Sequence, residues 1–76
     1  MEIEKFVANF AAQLEETDAK EISALKKFRE LDEWNSFVAL TIIAMVDDEY
    51  GIKITGEDIR KSQTIEDIYN IVKAKK

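Results

Sequence analysis

A chain of 76 residues, 46% of them hydrophobic, is enough for one small domain, span 1–76, with a modest core. Sixteen acidic residues against eleven basic ones leave a formal charge of −5, which excludes the basic footprint that non-specific nucleic-acid binding needs. With neither cysteine nor histidine, the chain has no disulfide staple, no Cys/His zinc site, no thiolate nucleophile and no histidine-based nucleophile–base pair.

The N-terminal run Met1-Glu2-Ile3-Glu4-Lys5 is acidic where a signal peptide is basic, and no long apolar segment follows it. The longest apolar stretch, Phe37 to Val46, is about half of the roughly 20 residues that a membrane span requires. These features predict a soluble, cytoplasmic protein without membrane insertion. Hydrophobic periodicity is helical throughout, and no segment alternates at period two. Ile3, Phe6, Val7, Phe10 and Leu14 share one stripe and predict a first amphipathic helix of about four turns. Thr17 and Asp18 interrupt it. A long connection to Asn35 follows, with Ile22, Leu25, Phe28 and Leu31 as anchors at intervals of three. A connection of this length is uncommon in a compact domain unless it is anchored or functional.

The second helix is predicted from Ser36 to Tyr50, with Gly51 as its C-terminal stop. Ile52 and Ile54 flank Lys53 in a short extended link. Thr55-Gly56-Glu57-Asp58 and Thr64-Ile65-Glu66-Asp67 each set an acid three residues after a threonine, the spacing of a capping box. They predict a short third helix near residues 56–61 and a fourth over 65–74, the latter carrying Ile65, Ile68, Ile71 and Val72 on one side. The fold class expected is all-α: a small four-helix bundle, three main helices plus one short helix, with a long loop between helices 1 and 2. The second helix is apolar nearly all round, as a central helix is. Core packing is its first reading, with Val38, Ile42 and Met45 as candidates for an apolar strip exposed to a partner.

Charge is grouped. Glu30, Asp32 and Glu33 precede the apolar run, Asp47, Asp48 and Glu49 close it, and Lys73, Lys75 and Lys76 make the C-terminus basic. Such groups read either as solvated surface or as docking faces, the acidic ones for basic partners. Little else offers chemistry. The two glycines, Gly51 and Gly56, form no phosphate-cradling loop, and Asp47-Asp48-Glu49 lacks the spacing of a calcium loop. Ser36 stands out at the predicted start of the second helix, where free N–H groups and the positive end of the dipole suit a phosphate. It reads either as the helix N-cap or as a functional hydroxyl. Two details weigh on that choice: Asn35 is an equally good cap, and Ala39, three residues on, gives Ser36 no capping-box partner.

Taken in order, these features resemble an acyl carrier protein from about Phe6 to Val72. Asn35-Ser36-Phe37 stands where the family has Asp-Ser-Leu. Asp47-Asp48-Glu49-Tyr50-Gly51-Ile52 resembles the acidic end of the family's second helix. Gly56-Glu57-Asp58-Ile59 resembles its short third helix, and Thr64-Ile65-Glu66-Asp67 the entry to its last. The resemblance implies 4′-phosphopantetheine joined covalently to Ser36 by a phosphopantetheinyl transferase, with acyl groups carried as thioesters on the arm. The carrier itself is then not an enzyme. Its expected partners are acyl-transferring or acyl-activating enzymes with basic docking patches, met by a monomer through Asn35, Phe37, Val38, Thr41, Ile42, Met45, Asp47, Asp48 and Glu49. A cleft beside the second helix, lined by Leu40, Ile43, Ile54, Ile59 and Ile68, would shelter an apolar cargo. The chain departs from the family pattern at Asn35, at Phe37, and at Val38 and Thr41, where acids are common. Those departures also fit an alternative, an unmodified helical interaction module that keeps the carrier fold.

Overall fold

The computed structural model describes residues 2–76; Met1, the first residue of the expected span, lies outside them. Among the described residues there are four α-helices: α1 (Ile3–Ala11), α2 (Ser36–Tyr50), α3 (Gly56–Arg60) and α4 (Ile65–Lys75). The expected small all-α bundle is what the chain forms. α1 packs against α4 and α2, and α3 against α2 and α4. None of the described helices is long and apolar enough to cross a membrane.

The first helix is shorter than the four turns its stripe predicts. Phe6 and Phe10 are fully buried, but α1 ends at Ala11 and Leu14 reaches the core from a turn in which its N–H bonds the Ala11 carbonyl at 3.0 Å. The cause lies across the loop. The N–H groups of Glu15 and Glu16, which a continuing helix would give to the carbonyls of Ala11 and Ala12, instead meet the two oxygens of Glu33, each at 3.0 Å. The Thr17 hydroxyl also donates to Glu33. One carboxylate thus stops α1 and ties its end to the segment entering α2.

Between them the long connection is anchored, as its length requires. Single 3₁₀ turns form at Ala19–Glu21 and Phe28–Glu30, and Ile22, Phe28 and Leu31 are buried. Leu25, expected as a fourth anchor, is instead 71% exposed. The loop runs past the start of α4, where the carbonyls of Ala24 and Lys26 accept from the N–H groups of Glu66 (2.8 Å) and Ile65 (3.2 Å). Two otherwise unsatisfied first-turn donors of α4 are thereby paired. Phe28 and Trp34 pack with ring centroids 4.7 Å apart and join Phe10 in one aromatic cluster.

Both capping boxes form, Thr55 with Asp58 and Thr64 with Asp67. They start α3 and α4 where the spacing predicts. α4 buries Ile65, Ile68, Tyr69 and Val72 and leaves Ile71 half-buried. Lys75 closes the assembly from its far end, its Nζ 2.6 Å from Asp58 and 3.3 Å from the Lys53 carbonyl. Gly51 ends α2 with φ +65°, a left-handed conformation that glycine adopts without strain.

Candidate functional site

Asn35 decides the state of Ser36. Its backbone is extended, and its side-chain oxygen accepts the Val38 N–H at 2.9 Å, while its carbonyl accepts from Ala39 at 3.0 Å. Asn35 is therefore the N-cap, and Ser36 is the first helical residue, exposed, with no hydrogen bond to its hydroxyl among the described residues. The N–H groups of Ser36 and Phe37 likewise have no partner among them. No acid occupies the first turn of α2. The arrangement offers an unencumbered hydroxyl at the positive end of a 15-residue helix, a place that accommodates a phosphoryl group.

Beside Ser36 lies an open cleft of about 490 Å³ between α2, α3 and the end of the connection. Its apolar wall is Trp34, Ala39, Leu40, Ile43 and Ile59. Leu40, Ile43 and Ile59 thus stand where the cleft reading put them. Ile54 and Ile68 do not; they belong to the core, at 4% and 1% exposure. Arg29 and Arg60 complete the lining with Asn35, Ser36 and Gly56. The Arg29 Nη2 donates to the carbonyls of Ile59 (2.8 Å) and Arg60 (2.7 Å), so that the connection is latched to the end of α3. Neither arginine carries a sequence signal for this place, because the latch joins residues some thirty positions apart.

The faces of α2 correct one expectation. Ile42 and Met45 do not form an exposed strip: they are 0% and 4% exposed and pack in the core with Val46, while Val38 is half-buried against it. The exposed apolar residues are Phe37 at 75% and Leu40 at 62%, with Ala44 one turn further on. Thr41, half-buried between them, donates its hydroxyl to the Phe37 carbonyl at 3.0 Å. Asp47, Asp48 and Glu49 are exposed, but they begin eleven residues after Ser36, ~16 Å along the helix axis. Glu33, nearer the site, is not a free surface charge. The Thr17 hydroxyl, followed by the amides of Glu16 and Glu15, holds its carboxyl below the usual range.

A family model described as "phosphopantetheine attachment site" matches residues 5–72, a span holding Ser36, the cleft and most of each helix. No curated protein and no solved structure gives a significant match.

Proposed function

This chain belongs to the phosphopantetheine-attachment family, whose domains bear covalent 4′-phosphopantetheine, and from that premise we propose that it is an acyl carrier protein modified at Ser36. The observation that carries the assignment to Ser36 is the cap. Because the Asn35 side chain caps the helix by accepting the Val38 N–H, the Ser36 hydroxyl is left exposed and unbonded at the helix start. The other two serines are poorer acceptors. Ser62 is 1% exposed and donates to the Asp58 carbonyl at 3.0 Å, and Ser23 lies within the connection rather than in the first turn of a helix.

In the transfer, the Ser36 oxygen bonds to the phosphorus that bears the pantetheine arm of coenzyme A. The pyrophosphate P–O bond breaks, adenosine 3′,5′-bisphosphate leaves, and the hydroxyl proton is released. When bound, the arm supplies the thiol that holds acyl groups as thioesters. The chain itself presents Ser36 and does not catalyse. Its clients are acyl-transferring or acyl-activating enzymes of fatty-acid, polyketide-like or related acyl biosynthesis, in a cytoplasmic setting. They approach over the exposed Phe37 and Leu40 and reach the acids Asp47, Asp48 and Glu49 at the far end of α2.

The test is the intact mass after incubation with coenzyme A, Mg²⁺ and a phosphopantetheinyl transferase. A gain of one phosphopantetheine is expected for the wild type and none for Ser36→Ala. No gain with any transferase would leave the unmodified interaction module as the better reading.

A further inference from the structure

Two hollows in this surface carry opposite charge. The smaller, about 340 Å³, lies at the acidic connection and is lined by Glu16, Glu21, Glu30, Asp32 and Glu33 with Lys26 as its one cation. The cleft of about 490 Å³ that holds Ser36 has two charged residues in its lining, Arg29 and Arg60, and no carboxylate. In a chain of net charge −5 that is the reverse of the general balance. Arg60 has a counter-ion, Glu57 at 2.7 Å, which lies outside the lining. Arg29 has none: among the described residues no carboxylate comes within ion-pair distance of it. Its orientation is nevertheless fixed, by two carbonyls of α3 and by the Phe28 ring, whose centroid is 5.2 Å from the guanidinium carbon. The two bonds to α3 come from one nitrogen of a group with five N–H donors.

A guanidinium held in place without a counter-ion, in the same cleft as an attachment serine, calls for an anion. We propose that Arg29, with Arg60, is the counter-ion of the phosphodiester on Ser36 and lays the arm into the cleft along Trp34, Leu40 and Ile59. This rests on the attachment of the arm at Ser36. Arginine is suited to the task because its planar fork pairs with phosphate oxygens. The resting arm is then docked rather than swinging free. A client enzyme that brings its own basic patch to the phosphodiester competes with Arg29 and Arg60 and releases the arm.

The test uses the holo-protein, its loading first verified by mass, so that failure to load overturns the attachment reading itself and is seen separately. The readout is the set of nuclear Overhauser effects from the geminal methyls of the arm to the indole of Trp34, the one tryptophan in the chain. They are expected in the wild type and weakened several-fold in Arg60→Ala. They should be lost in the Arg29→Ala/Arg60→Ala double variant and only partly restored in Arg60→Lys, which keeps the charge without the fork. Because Arg29→Ala also removes the latch to α3, a salt series on the wild type gives a measurement free of folding effects. The contacts should fade toward about 1 M salt, where the Debye length falls to about 3 Å. Absence of the contacts in loaded wild type, or full contacts in Arg60→Ala that also survive high salt, would overturn the proposal.

Discussion

At the scale of single residues, the site depends on a division of labour between two neighbours. Asn35 holds the Val38 N–H, and Ser36 is released from capping. Asn35→Ala should therefore lower stability by about 1 kcal/mol, the usual cost of a lost N-cap, readable in chemical denaturation. Ser36→Ala should leave stability within about 0.5 kcal/mol of wild type, since an exposed residue without partners is being changed. This contrast was half legible in the sequence. Two good caps in a row pointed to a spare hydroxyl, but only geometry shows which residue caps. Residue-scale features formed by distant partners were not legible at all. The carboxylate of Glu33 reaching back to Glu15, Glu16 and Thr17 leaves no local pattern, and neither does the guanidinium of Arg29 on the carbonyls of α3.

At the scale of elements, what was local was readable. The bounds of α2 follow from Asn35 and Gly51, and both capping boxes follow from a three-residue spacing. Which face of α2 turns inward was not readable, because apolar residues surround the helix and periodicity carries no sign. The premise that Ser36 faces outward settles it only in part: Leu40 and Ile43 at i+4 and i+7 share its side, and Ile42 and Met45 at i+6 and i+9 turn away. Ile42→Ala should accordingly cost about 2–5 kcal/mol by leaving a cavity. Phe37→Ala should instead change stability by less than about 0.5 kcal/mol. Its effect should appear as weaker binding to client enzymes. At the C-terminus of α2, Gly51→Ala meets no atom within 4 Å, so its cost is conformational alone, about 1–2 kcal/mol for a β-carbon at positive φ.

At the scale of the whole molecule, carboxylates act as staples as well as surface charge. Among the described residues, four carboxyls lie below their ordinary range. Glu33 is lowered first by the Thr17 hydroxyl, Glu57 by Arg60, Asp58 by Lys75, and Asp67 by the backbone N–H of Gln63. Each therefore holds its proton less well folded than unfolded. The stability this contributes is fully present above the unfolded pKa of about 4 and is lost as pH falls through the lowered folded values. Thermal melts should be level from neutral pH to about pH 5 and fall below about pH 4. Asp67→Asn should flatten that acid dependence. The sequence showed this use for Asp67, through its capping box, but not for Glu33 or for the Lys75 partner of Asp58, because those groups come from other elements.

The central claim is the identity of the modified residue, and peptide fragmentation of the loaded protein tests it most directly. Cleavage after Arg29 and Lys53 gives a peptide of residues 30–53 that holds Ser36 and neither Ser23 nor Ser62. The phosphopantetheine mass is expected on that peptide, with fragment ions placing it on Ser36 rather than Thr41. Its appearance on Thr41, or on the peptides carrying Ser23 or Ser62, would contradict the account.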